Sequence, residues 1–316
     1  MKNNVRPPEV ASGFLRIVFV AAALLVLSAS ACSSETPSEA ITSTGTTPGT
    51  TTENGTHPKE VSAKDFNPGN FDNATTIDNE WFPLQPGTQF FYEGAATEDG
   101  ERIPHRVVFT VTDLTKVIEG VPTVVAWDRD YSAGELVETE LALFAQDNDG
   151  NVWHLGQYPE EYEEGKFAKA PAWIAGLKGA RAGISMKADP RLEASDYSQG
   201  FAPPPINWID RARVYQMGQR TCVPFDCYED VLVTEEFERN KPGAYQLKYY
   251  ARGVGNVRVG WRGRKEDERE ILVLVDLVHL SPEALATVRE AALELEKRAY
   301  RISKDVYAHT PPAEGP

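Results

Sequence analysis

Between residues 67 and 280 the chain is patterned in twos. Short runs rich in Val, Phe, Tyr and Trp alternate apolar with polar side chains, and Gly, Asp, Asn and Pro recur between them. That is the pattern of half-buried strands separated by turns. Strands are expected at residues 89–93, 106–117, 123–131, 136–145, 151–156, 212–219, 227–236, 245–251, 255–261 and 269–280. No helix-length amphipathic run separates them, which argues against a parallel α/β sheet. Turn signals at 132–134, 147–150 and 163–166 point instead to antiparallel hairpins. The expected fold is mainly β: a curved antiparallel sheet, half-barrel or sandwich-like, spanning residues 67–281 and long enough to bury a substantial core. The stretch 171–205, broken by glycines and prolines, reads as a long excursion over one face, and loops of that length are often functional.

A C-terminal helix follows, within a final segment 282–316. Ser281 suits a cap, Pro282 the first turn, and Glu283 complements the helix dipole. Leu285, Val288, Ala292, Leu295, Ala299, Ile302 and Val306 then recur at spacings of three and four, a narrow apolar stripe. It is expected to pack on the chain's own sheet, closing the open side of a half-barrel, with docking to another copy or protein as the alternative. Glu294 and Arg298 are spaced to pair along the helix.

The other end sets the compartment. Lys2, Arg6 and Arg16 precede an apolar run at residues 17–27, and Ser28-Ala29-Ser30-Ala31 then leads to Cys32. The run is too short to span a bilayer, which needs about 20 apolar residues, and it suits a cleaved signal peptide over residues 1–31. The segment resembles bacterial lipoprotein signals, in which the cysteine after cleavage is acylated. It departs at Ala29, where that family usually has Leu, and Ala29-Ser30-Ala31 also fits ordinary secretion. Acylation of Cys32 implies a lipid anchor in the cell membrane or outer membrane, facing the periplasm or the exterior. Residues 32–66, dominated from 33 to 58 by Ser, Thr, Gly and Pro, read as a disordered tether.

The chain has three cysteines. Cys222 and Cys227 flank a four-residue turn and suit a local disulfide in an oxidising compartment, leaving Cys32 as the odd one out. Net charge is −15; losing residues 1–31 removes three basic residues and one acidic residue, so the mature chain carries −17. Nucleic acid and anionic lipid surfaces repel such a chain, so neither is an expected electrostatic partner.

No linear catalytic or metal motif stands out, the five histidines are scattered, and no cofactor is expected. A non-enzymatic role is therefore the leading expectation. Asp128 and Asp130 share one strand face, Glu138 and Glu140 another, and the hairpin between them could gather all four around a hard cation. The ordinary alternative is a solvated outer face. The turn at 147–150 looks like a calcium loop, but that register puts Ala145 and Gly156 at ligand positions. Ligand binding is hinted at only by aromatic content. Trp81, Trp127, Trp153, Trp173 and Trp208 are large side chains for one β domain, and in a curved sheet some would line an apolar concavity.

Longer motifs carry a second resemblance. Residues 77–88 (IDNEWFPLQPGT), 145–153 (AQDNDGNVW) and 249–255 (YYARGVG), with 161–166 and 223–225, resemble an uncharacterised family of bacterial exported proteins over most of 72–259. The resemblance implies an envelope protein and no particular chemistry. The Gly-Val-Gly strand start and serial hairpins are also similar, more faintly, to the half-barrels of periplasmic lipoprotein carriers. Three roles follow as expectations: binding of an apolar or amphiphilic molecule or an envelope partner, assembly through the terminal helix, or hydrolysis by residues that meet only in three dimensions.

Overall fold

The computed structural model describes residues 62–316 apart from 99, 267 and 268. Cys32, the signal segment and most of the tether lie outside the described residues. Among the described residues fourteen strands form one antiparallel sheet: β1 (Thr88–Glu98), β2 (Glu101–Ile118), β3 (Val121–Ser132), β4 (Glu135–Gln146), β5 (Val152–Glu163), β6 (Lys166–Lys169), β7 (Trp173–Ile174), β8 (Gly183–Met186), β9 (Tyr197–Ser198), β10 (Arg211–Cys222), β11 (Cys227–Phe237), β12 (Tyr245–Ala251), β13 (Gly255–Arg262) and β14 (Ile271–His279). One helix, α1 (Pro282–Ile302), follows. All ten expected strands are present, most extended by a few residues at one or both ends.

The sheet is two meanders joined back to back. Its order is β6-β5-β4-β3-β2-β1-β14-β13-β12-β11-β10-β9, with β7 and β8 pairing on β5. Hairpins explain the sequence order within each half. At the β3–β4 turn Ala133 and Gly134 have φ of 51° and 88°, the left-handed pair that a two-residue turn needs to match strand twist. The join is the β1–β14 ladder, where Phe90 faces Leu277 and Gly94 faces Leu272.

The excursion at 171–205 runs along the gap between the free ends. It supplies β7, β8 and β9, and a bridge pairs Arg181 with Phe201. Its backbones come so close that a Cβ on Gly183 would stand 1.9 Å from the Gly200 nitrogen. The sheet is strongly curved, yet no continuous ladder closes it into a barrel.

Alternation gives the sheet two apolar faces. The inner one gathers Phe90, Tyr92, Val107, Ala142, Phe144 and Leu272 into one buried cluster. The outer face of the first half presents Leu114, Val125, Leu141, Leu143, Leu155 and Tyr158, and it is covered by Ala292, Leu295 and Ala299 of α1. The helix therefore docks on its own chain, as expected, but on the outer face and not across the open side. Leu141 and Leu143 face the helix because they alternate with Ala142, which faces inward. Lys116 fixes the dock: its Nζ donates to Glu296 at 2.7 Å and to the Tyr300 hydroxyl at 2.9 Å, and lies 4.4 Å from the Tyr307 ring centre. Ser281 caps α1 as read, accepting from the Ala284 N–H. The Glu294–Arg298 pairing is not made. Glu294 takes Lys297 at 2.5 Å, and Arg298 leaves the helix to reach Glu160 on β5 at 3.0 Å. Packing also begins within the segment read as tether, since Phe66 packs at a tilt against Trp153 with ring centres 5.3 Å apart.

Candidate functional site

The curvature encloses a cavity of about 580 Å³ against the inner face. Its walls are of two kinds. Phe82, Phe90, Tyr92, Phe144, Val259 and Leu272 form an apolar wall spanning the join of the two halves. Facing into the same space is a set of carboxylates: Asp128 from β3, Glu138 and Glu140 from β4, and Asp210 just before β10.

Strand pairing makes this set. Asp128 sits opposite Glu140, and Asp130 opposite Glu138. The hairpin thus brings the four expected carboxylates together, but the ladder lies on the inner face, which corrects the reading of it as a solvated exterior. Alternation in sequence says that these four share a face; it cannot say which face turns inward, and curvature of the sheet decides that. Among the described residues no group of three or more His, Cys, Asp or Glu side chains could hold a metal ion.

Burial acts strongly on these acids. Desolvation, followed by the charge of Asp130, pushes the Asp128 carboxyl up to about 7. Desolvation and Asp128 push Glu140 up to about 8, and Glu138 is driven well above the usual carboxylate range by desolvation and then by Glu140. Asp210 is held at about 7 by desolvation and the neighbouring Glu238. The cationic side chains nearby already have partners: Lys248 pairs with Glu236 at 3.1 Å, and Lys241 with Glu238 at 2.6 Å. Lys265 stands exposed at the cavity edge.

Asp130 takes a different role. It and Glu270 flank His105, Glu270 lying 2.7 Å from Nδ1, in a buried triad linking β2, β3 and the residue just before β14. Burial alone would lower the His105 pKa, but hydrogen bonds and the charges of Asp130 and Glu270 raise it to about 10. It is an internal ion cluster, and no pattern in the sequence signals it, because Glu270 lies 165 positions from His105.

The tryptophans divide unevenly. Trp208 lines the cavity. Trp81, within 77–88, is buried in the inner cluster, with the Arg252 guanidinium 4.1 Å from its ring centre. Trp127 lies on the outer face beside the second cluster and donates to Thr139 at 2.8 Å. Trp153 is buried in that cluster and donates to Asp147 at 2.8 Å. Trp173 packs behind Trp208 at 5.5 Å. Four of the five therefore serve packing, the usual fate of a large aromatic side chain in a core. Asp147 organises its turn, accepting from the N–H groups of Asp149 and Asn151 as well as from Trp153. The resemblance to a calcium loop thus has a structural explanation. Cys222 and Cys227 form the expected disulfide, Cα atoms 4.0 Å apart.

Sequence reasoning missed Asp210 and His154 at the cavity. His154 lines the cavity between Phe144, at 5.0 Å, and Trp173, at 4.9 Å. Desolvation in this aromatic setting lowers its pKa to about 4, so the imidazole is neutral.

No family model matches the chain, and no curated protein matches it. Two solved structures are similar to it. One, described provisionally as an exported protein with YmcC-like fold from Bacteroides fragilis NCTC 9343, is 17% identical with a TM-score of 0.38, covering 63% of this chain and 99% of its own. The other, described provisionally as a lipoprotein from Parabacteroides distasonis ATCC 8503, is 11% identical with a TM-score of 0.33, covering 65% and 99%. Likeness at this level carries no argument about activity.

Proposed function

We propose that this chain is a lipid-anchored protein of the cell envelope, held through Cys32, whose β body binds an apolar or amphiphilic molecule without transforming it. The cavity is the observation that supports this reading. Its volume of about 580 Å³ falls within the range of small-molecule sites, roughly 300–1,000 Å³, and its wall is aromatic on one side and polar on the other. Assembly through the terminal helix has less support, because Ala292, Leu295 and Ala299 are already buried against the chain's own sheet.

Native mass spectrometry of protein purified from its own host tests the binding reading. A co-purifying mass of lipid size is expected, and a clean apo mass would count against it. The anchor is tested separately by metabolic labelling with a palmitate analogue: label on the wild type and none on Cys32→Ser is expected, while equal labelling would remove the anchor.

A further inference from the structure

Resting on that reading, we propose that the occupant is an amphiphile with an organic cationic head, an ammonium or guanidinium group, which docks against Asp128, Glu138 and Glu140 while its chain lies on the aromatic wall.

The carboxylates alone would not carry this. The second observation is that Glu138 and one oxygen of Asp128 lack partners. Glu138 is 7% exposed, lines the cavity, and has neither a hydrogen bond nor an ion pair from its carboxylate among the described residues. The Oδ1 of Asp128 is likewise buried without a hydrogen-bond partner. Buried polar groups are ordinarily satisfied, and leaving a carboxylate unpaired in low dielectric is costly. Elsewhere in this molecule buried acids follow the rule: Glu296 has Lys116, Glu160 has Arg298, and Glu235 has two arginines. On the cavity wall Glu138 and the Oδ1 of Asp128 are the exceptions.

Chemistry then narrows the occupant. A carboxylate accepts hydrogen bonds and attracts positive charge, so an anionic head is repelled and a neutral one gains little. A compact metal ion needs several ligands converging on one point, and no such cluster exists among the described residues. A head that spreads its N–H donors fits carboxylates distributed along a strand pair. Phe90, Phe144 and Leu272 lie in the same cavity, which gives an alkyl chain a surface to cover.

The full chain carrying Cys32→Ser, which needs no detergent, provides the test. N-phenyl-1-naphthylamine, a neutral apolar fluorophore, reports cavity occupancy, and decylammonium, decanol and decanoate compete for it at a pH above the raised carboxylate range. Decylammonium is expected to displace the probe at concentrations about tenfold below those of the other two, the worth of one charge-assisted hydrogen bond. In Glu138→Gln/Glu140→Gln that advantage, read as the ratio of competitor potencies on the same protein, should shrink to about twofold or less. Should that variant fail to fold, Asp128→Asn on the adjacent strand gives the same readout. Equal displacement by all three competitors, or preference for decanoate, overturns the assignment of the head and leaves the cavity standing. A probe that does not bind at all overturns the cavity reading as well.

Discussion

The two meanders share one inner cavity but cover their outer faces by different means. In the first half the outer face is apolar, and α1 closes it with Ala292, Leu295 and Ala299, pinned by Lys116 and Glu296. Among the described residues no helix lies on the outer face of the second half. There Glu235, fully buried, is clamped between Arg213 and Arg262, and the Arg262 guanidinium lies 4.1 Å from the Tyr245 ring centre and 4.5 Å from that of Tyr215. The difference teaches that a single-layer sheet has two routes to a protected second face: add an element, or lay long arginine stems over aromatic rings. The first route excludes water more completely, and the first half should respond more strongly to damage.

The largest effect is expected at the helix dock. Lys116→Ala strands Glu296 in a buried site, and breaking one side of such a pair costs about 3 to 5 kcal/mol; urea denaturation read by circular dichroism measures it. Leu295→Ala, 1% exposed in the native fold, should cost about 3 kcal/mol through the cavity it leaves. In the second half, Glu235→Ala should cost only about 1 to 2 kcal/mol, because both arginines reach solvent. An equal or larger loss there would break the comparison.

The smallest effect separates cavity from cover through pH. Asp128 and Asp210 titrate near 7 and Glu140 near 8 in the fold, above their ordinary values of 3.8 and 4.5. The folded chain therefore holds more protons than the unfolded one between those limits, and stability falls as pH rises through that window. His105 has the same sign between 6.5 and about 10, because its charged form is held by Asp130 and Glu270. The melting temperature should decrease from acid to alkaline pH. Asp128→Asn should flatten the lower part of that slope and stabilise the chain by about 1 kcal/mol on the alkaline side. A melting temperature that rises with pH would contradict this assignment of charges.

Much of this architecture is legible in the residues. Alternation located all ten expected strands, and Ala133-Gly134 and Glu164-Gly165 announce hairpins because both positions of each pair adopt positive φ. The stripe in α1 predicts a buried face. What alternation cannot encode is the sense of curvature. Asp128 and Glu140 are as consistent with a wet exterior as with a cavity until the two meanders are joined through β1 and β14. The tryptophans mislead for a related reason: size drives burial, and only tertiary packing separates Trp208, at the cavity, from Trp153, in the core. His105 and Glu270 belong to different halves, so the sequence holds no local sign of their contact.

The central claim is that the cavity holds an alkyl chain on its aromatic wall, and a crystal structure with a terminally brominated decylammonium ion tests it most directly. The account predicts an anomalous bromine peak among Phe90, Phe144 and Leu272, with the ammonium near Glu138 and Glu140. A bromine peak on the outer face beside α1, or none at saturating ligand, would contradict it.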